Sequence, residues 1–260
     1  VLRLRLLGTG TSFGVPQLGC DCAVCHSPDP RDRRSRSAAL IQTASTTLLI
    51  DTPPELRTSL LAARVDRVDA VWFTHEHADH VAGIDDLRIF SLRQRRDLPI
   101  YAGGRTRAFL EASYRYIFDP AVIPLPGTSK PRLELRLIEP DRAISIGDLT
   151  CTPLEFEHGT TPVLGLRVGK LAYVTDAKAI AATQRDQLRG LEILVLNALW
   201  WRHHPTHLSI PEAIETARDI GAKRTILTHL THETGHEELA GKLPDGIEPG
   251  YDGMTLEIEA

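Results

Sequence analysis

Apolar and polar positions alternate from the first residues. Val1-Leu2-Arg3-Leu4-Arg5-Leu6-Leu7 puts every second side chain on one face and predicts a β-strand. Residues 38–43 and 46–50 read as a hairpin that ends in Asp51-Thr52-Pro53-Pro54. The two prolines permit a helix start, and Glu55-Leu56-Arg57-Thr58-Ser59-Leu60-Leu61 supplies helical periodicity. A short buried strand is expected at 70–73, a helix over 81–93, then a strand at 100–102 and a helix over 105–116. Prolines 120, 124, 126 and 131 mark residues 118–132 as an irregular insertion, a connector first and a lid or dimer contact second.

Strand patterns return at 133–138, 143–146, 149–156, 163–168, 170–174 and 193–197. A helix over 211–220, a strand at 224–227, a helix near 237–242 and a strand at 254–258 follow. Two runs of strands, each followed by strand–helix units, suggest two related halves. With 260 residues and 42% apolar content, one domain spanning 1–260 can bury a sizeable core.

Charge narrows the partners. A net charge of -4 lacks the basic excess of a protein that grips long nucleic acid. No charged-then-apolar leader and no bilayer-length apolar run occurs, so a cytoplasmic location without membrane contact is expected.

The densest chemistry follows the strand at 70–73. In Thr74-His75-Glu76-His77-Ala78-Asp79-His80, the HxHxDH pattern packs three imidazoles and the Asp79 carboxylate into six residues, 75–80. Buried neutral imidazoles need hydrogen-bond partners and imidazoliums repel one another, whereas a divalent cation relieves both. On a turn after a strand, His75 and His77 can serve one ion while Asp79 and His80 reach another. Asp51 is placed either to orient a ligand from behind or to cap the next helix.

Cys20, Cys22 and Cys25 gather three of the four cysteines. Disulfides between such near neighbours close strained rings, so a tetrahedral zinc site completed by a distant histidine is expected. His26 is too close to serve, and Cys151, in a strand pattern, reads as core. Gly8-Thr9-Gly10-Thr11-Ser12-Phe13-Gly14 lacks the Lys-Ser/Thr ending of a phosphate loop and reads as a tight turn near the site. The arginines at 31, 33, 34 and 36 read as ion-paired or solvated, with phosphate steering as the functional alternative. His158, Asp176 and His229 each follow a strand, and each can bring a ligand to the same sheet edge. In Trp200-Trp201-Arg202-His203-His204-Pro205-Thr206-His207, the tryptophans read as anchors and His203 and His204 as surface imidazoles. His207, just before a helix, is placed to meet substrate.

The order of these motifs resembles the metallo-β-lactamase superfamily over nearly the whole chain. The resemblance implies an α/β fold, a four-layer αββα sandwich with its site at one edge. It implies that His75, His77 and His158 bind one metal, Asp79, His80 and His229 a second, and that Asp176 bridges them. Two divalent ions, zinc or manganese, would lower the pKa of water and stabilise an anionic transition state in ester hydrolysis.

Cys20, Cys22, Cys25 and His232 are similar to the structural zinc ligands of the PhnP-like branch, as are Gly10, Gly14-Val15-Pro16 and Tyr251-Asp252-Gly253-Met254 to its other motifs. That branch implies hydrolysis of a small, cyclic phosphodiester of ribose, with His207 as general acid or phosphate contact. Asp79 and His207 are accordingly the candidate catalytic residues. The branch also implies a homodimer. The Arg-rich loop, the 118–132 connector and the Trp200-Trp201 pair depart from it and bear on the substrate. A tRNA-processing endonuclease, a thioester or lactam hydrolase, and a PQQ-biosynthesis protein are the rivals within the same fold.

Overall fold

Alternation decides the layers. In the computed structural model, which describes residues 1–259, fourteen strands form two seven-stranded sheets. The first six strands are β1 (Leu2–Gly8), β2 (Ala38–Gln42), β3 (Thr47–Ile50), β4 (Ala70–Trp72), β5 (Leu98–Ala102) and β6 (Leu133–Leu137). The next are β7 (Ile144–Ile146), β8 (Leu149–Phe156), β9 (Val163–Val168), β10 (Leu171–Val174), β11 (Ile193–Asn197), β12 (Arg224–Thr228) and β13 (Ile247–Pro249). The last, β14 (Thr255–Ile258), returns to the first sheet. The orders are β14-β1-β2-β3-β4-β5-β6 and β13-β12-β11-β10-β9-β8-β7.

Each sheet has antiparallel pairings on one side and parallel pairings, β3 to β6 or β10 to β13, on the other. The two halves are thus built alike.

Leu48 and Ile50 of β3 point into the core between the sheets, while Leu49 points outward. Tyr173 and Val195 likewise face inward and Val174 and Leu196 outward. The outward residues of the first sheet are covered by α1 (Leu56–Ala62), α2 (Ala78–Val81), α3 (Arg88–Gln94), α4 (Gly104–Ser113) and α5 (Arg115–Phe118). Those of the second sheet are covered by α7 (Ile210–Ile220) and α8 (His236–Ala240), with Ile180 and Leu188 packing from either side of α6 (Ala182–Gln187), which itself buries no residue. Helix, sheet, sheet, helix is the expected sandwich. Among the described residues no helix is long and apolar enough to cross a membrane.

The helix expected over 81–93 is broken into α2, a 3-10 turn at Ile84–Leu87, and α3. Gly83 causes the break: its N–H donates to Thr52 O at 2.8 Å, and a Cβ there would sit 2.3 Å from Pro53 O. Three short elements, a 3-10 helix at Pro30–Asp32, α6 and β13, lie where no element was expected. Residues 119–132 form no helix or strand, as the prolines predicted.

Candidate metal centre

The candidate ligands of the binuclear site sit where strands end at one edge of the sandwich. β3 delivers Asp51, β4 delivers Thr74 to His80, β8 delivers His158, β10 delivers Asp176 and β12 delivers His229. Asp51, Asp176 and His229 have φ of 61°, 60° and 60°. Left-handed conformations at non-glycine residues cost energy and collect at functional sites. Asn197 stabilises the turn after Asp176, accepting from Ala177 N and donating to Ala177 O.

The hydrogen bonds behind the imidazoles show how they are aimed. His80 Nδ1 lies 2.7 Å from Asp51 Oδ2 and donates to it. Thr74 Oγ1 donates to the same carboxylate at 2.8 Å, so its lone pair accepts from His75 Nδ1 at 3.0 Å. Ser37 Oγ donates to Gly10 O and accepts from His229 Nδ1 at 3.2 Å. His158 Nδ1 donates to Thr206 O at 2.9 Å. Four imidazoles are therefore anchored through Nδ1–H, which leaves each Nε2 lone pair facing one cleft.

The exposed ends converge. His75 Nε2 is 2.8 Å and His158 Nε2 is 3.4 Å from His77 Nδ1. His80 Nε2 is 3.3 Å from Asp79 Oδ2 and 3.4 Å from Asp176 Oδ2, and His229 Nε2 is 3.3 Å from Asp176 Oδ1. His80 Nε2 is nonetheless buried without a hydrogen bond, since with Nδ1–H on Asp51 it is an acceptor facing carboxylate oxygens that also only accept. Burial would raise the Asp79 and Asp176 carboxyls, and positive charge in the cleft, from a protonated His80 or from a cation in its place, holds both below the usual carboxylate range.

An orphaned lone pair, four back-anchored imidazoles and two ionised carboxylates are the donor set of divalent-cation sites. His75, His77 and His158 can hold one ion, and His75, His80 and Asp176 also lie within ligand distance of one another. Asp51 does not cap α1, whose N-cap is Glu55; its carboxylate serves His80 and Thr74 instead.

A second cluster lies one turn away. Cys20, Cys22 and Cys25 Sγ are 3.2, 3.4 and 3.4 Å from His232 Nδ1, and all four cysteines are free thiols. The Cys25 N–H donates to Cys22 Sγ and is the main reason that thiol falls to about 6, while burial pushes Cys25 up to about 11. His26 is exposed and turned to Cys22 O. The glycine-bearing turn binds the strand end between the clusters: Leu230 N donates to Thr9 O, and Thr11 N to Leu230 O.

His207 Nε2 is 3.0 Å from Asp176 Oδ1, at the lip of the cleft. His203 is exposed as expected. His204 is not a free surface imidazole, since its ring is part-buried against Trp200 and His207. Trp201 anchors its loop by donating to Thr234 Oγ1 at 3.0 Å. In the arginine loop, Arg31 pairs with Asp29 and Glu237, Arg36 with Glu55, and Arg34 is buried, so ion pairing prevails. Thr74, Ser37, Thr206 and Glu76, which Arg105 and Thr106 Oγ1 hold in place, carried no signal in the sequence.

A model of the β-lactamase superfamily domain matches residues 46–230. The crystal structure of a new diphosphatase from the PhnP family superposes with a TM-score of 0.91 at 38% identity, covering 98% of this chain and 96% of that one. Zn(2+)-bound PqqB from Methylobacterium extorquens superposes at 0.78 with 17% identity, covering 98% of this chain and 100% of that one, a likeness of fold alone. An octanoyltransferase of Porphyromonas gingivalis is 41% identical over 261 residues, 99% of this chain. The chain spans about half, 52%, of that relative's length.

Proposed function

The chain belongs to the metallo-β-lactamase superfamily, in its PhnP-like branch, and from that premise we propose that it is a binuclear metal-dependent hydrolase of a small phosphodiester or diphosphate. The observation that carries the reading is the set of four Nδ1-anchored imidazoles whose Nε2 atoms meet Asp79 and Asp176 in one cleft.

In this reading His75, His77 and His158 would hold one divalent ion and Asp79, His80 and His229 the other, with Asp176 as a further ligand. Bound there, the ions supply positive charge that acidifies water and offsets the charge gathering on a phosphoryl group. The remaining work belongs to the chain. His207 stands beside Asp176, poised to give a proton from Nε2 to the departing oxygen. Asp51, Thr74, Ser37 and Thr206 fix the imidazole rings, so little reorganisation accompanies the reaction. Cys20, Cys22, Cys25 and His232 hold a structural zinc that pins the turn carrying His229.

The test joins metal analysis to a substrate panel: bis(p-nitrophenyl) phosphate, a cyclic ribose phosphodiester, a nucleotide diphosphate, an octanoyl thioester and a precursor tRNA. We expect turnover of phosphoryl substrates, with losses of at least about 10²-fold in His207→Ala on poor leaving groups. Asp176→Ala is expected to lose metal as well as activity. The thioester answers the octanoyltransferase likeness, and preferential cleavage of it or of the tRNA would replace this reading. One zinc per chain with a silent panel would end it.

A further inference from the structure

We propose that His204 is a positioning residue that holds His207 with its Nδ1 protonated and its Nε2 turned to the cleft; the inference rests on the phosphoryl-hydrolase reading above. Thr206 N–H donates to His204 Nδ1 at 3.3 Å. A backbone N–H can only donate, so His204 Nδ1 is an acceptor and carries no hydrogen. The same nitrogen lies 3.2 Å from His207 Nδ1. Two lone pairs at that distance repel, so the hydrogen between the rings belongs to His207. Thr206 Oγ1, 3.0 Å from His207 Nδ1 and 3.3 Å from His204 Nδ1, completes the same junction.

The consequence reaches the other nitrogen. With Nδ1–H committed to His204 and Thr206, the ring cannot turn, and Nε2 faces Asp176 Oδ1 at 3.0 Å. The Asp176 oxygen can only accept, so Nε2 holds a hydrogen at that contact, and it is this hydrogen that passes to the departing oxygen as that oxygen's bond to phosphorus breaks. The ring is left neutral, its Nδ1–H still held.

His204 is itself kept in place from behind. Its ring centroid is 5.2 Å from that of Trp200, and the Arg202 guanidinium covers Trp200 at 4.2 Å while pairing with Glu233. This gives the dense Trp and His loop a purpose. Thr206 extends it, because its carbonyl holds His158, so one residue aligns a candidate ligand and the candidate proton donor.

The test compares His204→Leu with His204→Asn, whose side-chain oxygen can accept where Nδ1 does. Two readouts are taken on the zinc-loaded protein. In long-range proton–nitrogen spectra, His207 Nδ1 should appear protonated in the parent and in His204→Asn, and lose that signature in His204→Leu. In kinetics, His204→Leu should lower kcat about 10- to 10²-fold on a cyclic nucleotide phosphodiester, whose leaving oxygen is an alkoxide. On bis(p-nitrophenyl) phosphate, which needs little protonation, it should lose less than about 3-fold, with KM unchanged on both.

His204→Asn should stay near the parent throughout. Equal losses on both substrates, an Asn variant as impaired as Leu, or an unprotonated His207 Nδ1 in the parent would each overturn the proposal. A parent silent on both substrates while the spectra behave as expected would overturn the hydrolase reading and uphold the His204–His207 contact.

Discussion

Asp51 Oδ2 lies 2.7 Å from His80 Nδ1, and both side chains are sealed from solvent. The same carboxylate accepts from Thr74 N and Thr74 Oγ1, each at 2.8 Å, and through Thr74 it steadies His75. One buried carboxylate thereby aims two imidazoles. Asp51→Asn keeps the shape but has one acceptor oxygen in place of two, so an amide NH2 faces either the Thr74 N–H or the Thr74 Oγ1 and His80 Nδ1–H that share Oδ2. Active-site metal affinity should fall by about 10- to 100-fold, as for other lost carboxylate partners of ligating histidines. Chelator competition measures it, and an unchanged affinity would refute the assignment.

Cys22→Ala tests the link between the clusters. His229 and His232 share one short turn, tied to Thr9 and Thr11 through Leu230. The variant should carry one zinc fewer per chain, and weaker retention of the remaining metals should follow as the turn loosens. Full activity with undiminished metal content would show that the two clusters act independently.

Legibility in the sequence followed range. Strand alternation was readable because it is local: in β3, β10 and β11 each apolar residue has a face of the sandwich to fill. The metal-ligand candidates were readable because imidazoles and carboxylates at strand ends have few other uses. What escaped depends on distant partners. Nothing near Thr206 reveals that its carbonyl meets His158, 48 residues away, and nothing near Ser37 reveals His229, 192 residues away. The helix over 81–93 failed for the same reason, since the backbone of Thr52 and Pro53 decides the fate of Gly83. α6 has no buried residue and so no apolar stripe to announce it.

Gly83→Ala should therefore be destabilising despite the better helix propensity of alanine. The new methyl group meets Pro53 O at 2.3 Å and Thr52 O at 3.1 Å, backbone atoms just after Asp51 that cannot yield like a flexible side chain. A cost of about 1–3 kcal/mol is expected for such overpacking, with a fall in Tm of about 2–4 °C per kcal/mol. Thermal unfolding decides it; a Tm equal to or above the parent's would mean the Thr52–Pro53 segment moves freely.

Glu212 offers a pH test away from the metal ligands. It closes the N-terminus of α7 just after His207: Ser209 N donates to its Oε2 at 2.7 Å, and Lys178 Nζ lies 2.9 Å from its Oε1. Burial would raise this carboxyl, but the Ser209 N–H and the Lys178 ammonium outweigh it and hold the group at about 2. A carboxyl whose pKa is lower folded than unfolded binds its proton more readily in the unfolded chain. Its stabilisation is therefore complete above the ordinary glutamate range, near 4.5, and is lost as pH falls towards 2. Glu212→Gln keeps an acceptor for Ser209 and loses the charge. At pH 7 it should melt about 2 °C below the parent, the pair being partly solvent-screened. The gap should narrow steadily below about pH 4.5 as the parent's own carboxyl becomes protonated. Melting curves of the two proteins in parallel, from pH 7 down to the acid limit of folding, read the gap directly. A gap that stays constant or widens with acid would mean that the carboxylate charge contributes nothing to folding.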